Sequence, residues 1–182
     1  MSLTWRFVEA GTCLFGDRLR PIAVPALWWT ATPVTYTDLG SGPGTDIPVT
    51  MVDWDGASNL ARQLGGRLPR SVEWEWMAAG PGRRRYPWGD HEWAPGKAVL
   101  VPAGHEQPQT AGSCPLGATP EGLLDVAGNV WEWTATTVLG GGAVIRGGSY
   151  ASPPLYAQCT FLNAAPAELR SPGIGFRLVR EP

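Results

Sequence analysis

The chain has 182 residues, enough for one well-buried domain and short for two. Fourteen basic against sixteen acidic residues leave a net charge of -2, so the sequence carries no electrostatic footprint for nucleic acid. Ten tryptophans, 24 glycines and 18 prolines beside a 43% hydrophobic share describe a packed, turn-rich protein rather than a disordered one.

In chain order, the start MSLTWRFVEAG has no basic stretch leading into an apolar core, and no run reaches membrane-spanning length. The expectation is a soluble, cytoplasmic protein without membrane insertion, with export by another route left open. Residues 4–8 and 26–30 read as strands. Residues 54–64 repeat apolar side chains at Ala57, Leu60, Ala61 and Leu64, one helical stripe that Asp53 or Asp55 can cap and Gly65-Gly66 ends. A second helix is expected from Ser71, read as its N-cap, with Val72, Trp76 and Ala79 on one face and Glu73 and Glu75 partly opposed. Arg83, Arg84 and Arg85 read as a solvated loop, and Asp90-His91-Glu92 as a surface turn whose side chains diverge. Strands follow at 130–134, 143–146 and 175–179. Trp131 and Trp133 fall on one face of the first, with Glu132 opposite. The fold class is therefore α+β, one domain over residues 1–182, with the terminal strands as candidates for pairing. Cys13, Cys114 and Cys159 are widely spaced and form no CxxC or Cys/His ligand pattern, which argues against zinc and for a reducing compartment, one disulfide left open.

Five stretches in order carry more than composition: RLPRSVEWEW at 67–76, YPWGD at 86–90, GLLDVAGNVWEW at 122–133, RGGSY at 146–150 and GIGFR at 173–177. In this order and spacing they resemble the formylglycine-generating-enzyme family, which implies a C-type lectin-like fold of two helices, short antiparallel strands and much irregular loop. The resemblance implies a copper-binding cysteine pair for the enzymes. At the two matching positions this chain has Ser152 and Ala157, and Cys159 lies off the pattern. A serine hydroxyl stays protonated and hard near neutral pH, so it cannot replace a thiolate on copper. The resemblance also implies calcium on the Asp125 side chain, the Gly128 and Val130 carbonyls, and Glu132, hard oxygen donors of a kind that suits that ion. No other cofactor is expected.

The same scaffold resembles the variable proteins of diversity-generating retroelements, in which a segment between a GGSW-like turn and an IGFR-like strand is rewritten. Residues 150–173 match that interval in place and length, and Gln158 and Glu168 are the only residues in it that adenine-directed mutation of asparagine codons would not produce. The expected function is thus a display protein that binds a protein or other macromolecule, and not an enzyme. Tyr150, Tyr156 and Phe161 would be rigid anchors, and Ser152, Asn163 and Ser171 adaptable polar contacts. Ala151, Pro153, Leu155, Ala165, Leu169 and Pro172 complete the candidate surface. The alternative is an oxidoreductase like the formylglycine-generating enzymes, or a degenerate relative of them.

Overall fold

Four strands precede the helices in the computed structural model, which describes residues 3–41 and 46–182. Met1 and Ser2 of the opening stretch lie outside the described residues. The strands are β1 (Trp5–Val8), β2 (Gly11–Phe15), β3 (Arg20–Val24) and β4 (Leu27–Thr30). The expected strands at 4–8 and 26–30 are β1 and β4. They pair antiparallel, and β9 (Val179–Arg180) flanks β4 on its other side. The chain's two ends therefore share a sheet, with β4 between them. The β2–β3 hairpin was not visible in the sequence, because Pro21 interrupts its alternation and its turn lacks an Asn-Gly or Asp-Gly pair.

Helix α1 (Trp54–Gln63) begins where expected: the Asp53 side chain accepts the Gly56 amide at 2.8 Å, and Ala57 and Ala61 are buried. Helix α2 (Ser71–Ala79) differs from expectation in two ways. Its N-cap is Arg70, not Ser71, and the Glu73 carboxylate reaches back to the Arg70 amide at 2.7 Å. It is also buried on nearly every side, so Glu73 and Glu75 face protein rather than solvent. Glu73 is held by Arg67 and Arg70 and Glu75 by Arg146, cations from outside the helix itself. A buried carboxylate without such a partner would lose its ionised state.

Four strands form the second sheet, in the order β7 (Asn163–Pro166), β6 (Gly142–Arg146), β5 (Trp131–Val138), β8 (Ile174–Gly175). Strands β5 and β6 are antiparallel, β8 runs parallel to β5, and β7 is the edge. Trp131 and Trp133 do share a core cluster, but Glu132 on the other face is equally buried. It meets Arg177 at 2.7 Å and accepts the Trp74 indole N–H at 2.7 Å. Arg177 explains why the expected strand at 175–179 is broken into β8 and β9. Residues 176–178 cross from one sheet to the other, so that the guanidinium turns inward to Glu132. Of the three basic residues at 83–85, two are half-buried and bonded to the fold: Arg83 donates to the Leu14 and Gly16 carbonyls at the β2–β3 hairpin, and Arg84 to the Ala78 carbonyl. Arg85 remains exposed, paired with Glu92.

Candidate functional site

The turn at 128–131 ties down both ends of residues 150–173. The Gly128 amide donates to the Gly147 carbonyl at 2.8 Å, Tyr150 to Asn129 at 3.0 Å, and Trp131 to Gly173 at 2.8 Å. Gly128 has φ +76°, and a Cβ there would lie 2.4 Å from the Val99 carbonyl oxygen. Any other residue would push the turn off its neighbour. Asn129 is buried and imitates a strand partner, accepting the Gln109 amide and donating to the Gln109 carbonyl.

Between these ties the segment has little regular structure, one 3₁₀ turn at Pro154–Ala157 and the short β7. Its backbone is held from outside instead. Arg146, fully buried and paired with Glu75 at 2.8 Å, donates to the Phe161 carbonyl at 2.9 Å and the Cys159 carbonyl at 3.4 Å. The Cys159 amide reaches the Arg85 carbonyl, Ala167 the Gly141 carbonyl, and the amides of Met51, Trp54 and Val101 cap the carbonyls of Ser171, Ala167 and Ser152. Arg170 folds back onto Asp53 at 2.8 Å. An irregular stretch becomes rigid when its polar groups are answered in this way.

Above β5 and β6 lies a groove of about 340 Å³. It is lined by Trp131 and Ile145, by residues 149–151, and by β7 with Leu169 and residues 171–174. At one end the Tyr156 and Phe161 rings stack at 4.7 Å, and the Trp131 ring approaches them at 6.1 and 6.3 Å. No charged side chain lines the groove.

The structure brings most of the candidate surface together. Ala151, Pro153, Leu155, Tyr156, Asn163, Leu169 and Pro172 are exposed, and Tyr150, Phe161 and Ser171 are half-buried. Two candidates turn inward. Ser152 is buried with its hydroxyl accepting the Ser149 amide at 3.0 Å, and Ala165 pairs with Ala143 inside the core. Sequence reasoning missed Leu162 and Ala164, both exposed, and Met51 and Val101, which reach the segment from distant loops. Nothing local signalled the last two.

The model of the sulfatase-modifying factor enzyme 1-like domain family matches residues 7–182. The chain belongs to that family. Its fold is the family's C-type lectin-like fold, with two helices, several small sheets and much loop. It is 35% identical over 157 residues to the formylglycine-generating enzyme of Thermomonospora curvata, across 72% of this chain and 49% of that protein. It is 35% identical over 166 residues to the inactive C-alpha-formylglycine-generating enzyme 2 of Mus musculus, across 80% of this chain and 54% of that one. The chain thus spans about half the length of these relatives. Treponema denticola variable protein 1 superposes with a TM-score of 0.80 at 19% identity, over 100% of this chain and 96% of its own.

Within the sulfatase-modifying factor enzyme 1-like frame, the implied metals do not fit the residues present. Both Glu132 oxygens are engaged by Arg177 at 2.7 to 2.9 Å, and one also by Trp74. Calcium on Glu132 would sit against a buried guanidinium. The Gly128 carbonyl already accepts the Val130 amide, and Asp125 accepts the Gly112 backbone amide and the Asn129 side-chain amide. Burial pushes the Asp125 carboxyl above its ordinary range in spite of those donors. For copper, Ser152 is spent on Ser149 and Ala157 offers no donor atom. Burial raises the Cys159 thiol strongly and lifts Cys13 to about 11, so neither is a thiolate near neutral pH. Asp90, His91 and Glu92 do not converge either, since Asp90 accepts the Arg85 amide and Glu92 pairs with the Arg85 side chain. Among the described residues no group of three or more His, Cys, Asp and Glu side chains could hold a metal. No described helix is long and apolar enough to cross a membrane.

Proposed function

We propose that this chain is a ligand-binding display protein, most like the variable proteins of diversity-generating retroelements, and that it grips a protein or other macromolecule through residues 150–173. One observation carries the reading. The segment is braced largely through its backbone, while half of its 24 residues are exposed, several of them around a groove lined without charge. Such a surface can change its side chains without refolding, as antibody loops do. The full-length likeness to Treponema denticola variable protein 1 supports it. The locus provides the test: a near-copy of the coding DNA for residues 150–173, differing at adenines and lying beside a reverse transcriptase gene, is the expected finding. Natural copies that differ evenly along the whole chain would overturn it.

The 35% identity to a formylglycine-generating enzyme favours a second reading, oxidation of a cysteine in a bound peptide. Against it stand Ser152 and Ala157 at the thiol positions and a buried, protonated Cys159. Incubation with copper, oxygen and a cysteine peptide is expected to leave the peptide thiol intact. Formation of a formylglycine product, lost in Cys159→Ser, would reverse the assignment.

A further inference from the structure

Among the described residues, twelve large apolar side chains are exposed, and six of them lie in the segment or hydrogen-bond to its backbone. Leu155, Tyr156, Leu162 and Leu169 belong to the segment itself. Met51 and Val101 come from elsewhere in the chain, and each is joined to the segment by a backbone hydrogen bond, Met51 to Ser171 at 3.1 Å and Val101 to Ser152 at 3.0 Å. Met51 is 54% exposed and adopts φ +57°, a left-handed conformation that L side chains avoid. An apolar side chain held in a disfavoured backbone conformation and turned to solvent is unexplained by packing, and such strain gathers at ligand contacts.

Resting on the display reading, we propose that Met51 and Val101 are fixed members of the same contact surface, and that the groove takes an uncharged aromatic side chain of a protein partner. Four features point to that occupant. The groove is lined without charge, and Arg170, the nearest cation in the segment, is already paired with Asp53. Trp131 lines the groove, with the Tyr156–Phe161 stack beside it, a setting for edge or offset ring contacts. The Tyr150 hydroxyl and the Asn163 amide nitrogen line it and make no hydrogen bond to the described residues, so a polar ring edge would find partners. Strand addition along β7 is blocked. Ala164 turns its amide outward but gives it to Asn163 Oδ1, and Pro166 has no amide to give. The partner therefore docks a side chain rather than a strand.

The experiment is an NMR titration of the intact protein, methyl-labelled at methionine, valine and alanine. The probes are N-acetyl-tyrosinamide, N-acetyl-argininamide and the amide of N-acetyl-aspartate. Tyrosinamide is expected to shift the methyls of Met51, Ala151, Ala164 and Val101 saturably, with the two charged amides at least about tenfold weaker. Met51→Ser and Val101→Ser should each weaken tyrosinamide binding about threefold or more while the melting temperature holds. Equal response to charged amides, no saturable shift, or shifts that spare Met51 and Val101 would overturn the proposal. A locus without a repeat or reverse transcriptase would end the retroelement reading and leave this binding result untouched. Loss of aromatic selectivity would do the converse.

Discussion

From Gly142 to Arg146 every residue is buried, whereas between Tyr150 and Pro172 only Ser152, Ala157, Cys159 and Ala165 are. Strand β6 is held by ladders on both sides, from β5 and β7. The segment that follows is held by single hydrogen bonds from residues as distant as Met51 and Val101, and from below by one cation, Arg146. Both stretches are ordered, the first by regular ladders and the second by scattered long-range bonds. The difference is one of means: the bonds that fix the segment run mostly through its backbone, with Ser152 and Arg170 as side-chain ties, so its exposed side chains carry little of its order.

That contrast can be broken most forcefully at Arg146. Arg146→Met leaves Glu75 buried without its cation and strips the Phe161 and Cys159 carbonyls of a donor. Urea denaturation should register a loss of about 3–5 kcal/mol, with hydrogen exchange rising in the segment. A loss below about 1 kcal/mol would mean that the segment does not rest on this cation. Next comes the turn that ties the borders: Gly128→Ala, strained by φ +76° and by the Val99 carbonyl, should cost about 1–3 kcal/mol. Met51→Gly sharpens the comparison from the other direction, since relief of the left-handed strain should raise stability by about 0.5–1 kcal/mol while tyrosinamide binding falls. Leu155→Ser and Leu162→Ser, both on the outward face, should change stability by less than about 0.5 kcal/mol.

The smallest effect is the pH dependence of the Asp53–Arg170 contact. The Gly56 amide, and then Arg170, hold the Asp53 carboxyl below its ordinary range. Because the folded value is the lower one, the contribution is complete above the ordinary carboxylate range. It is lost as pH falls through the depressed value. A carboxyl-carbon NMR titration should show Asp53 titrating below exposed aspartates, and Arg170→Ala should move it part of the way back, the Gly56 bond remaining.

Local chemistry was legible in the sequence and long-range pairing was not. The ends of α1 could be read because a cap and a glycine pair act within a few residues. The borders of the segment could be read because RGGSY and GIGFR stand in the chain as short motifs. The roles of Glu73, Glu75 and Glu132 could not be read, because the charges that bring them inside belong to Arg67, Arg146 and Arg177. Alternation placed Glu132 opposite the two tryptophans correctly but missed its burial, because the first half of β5 is covered on both faces. Ser152 looked like an adaptable contact until its hydroxyl was found on the Ser149 amide.

Residue identity in a fixed order was enough for the family, the two helices and the missing thiol pair. Long-range packing set which half of the segment is exposed, turned Ser152 and Ala165 inward, and bonded Met51 and Val101 to its backbone. Which way a side chain points in irregular backbone depends on hydrogen bonds closed between residues some fifty to one hundred and twenty positions apart, such as Val101 to Ser152 and Met51 to Ser171, and no local pattern encodes those.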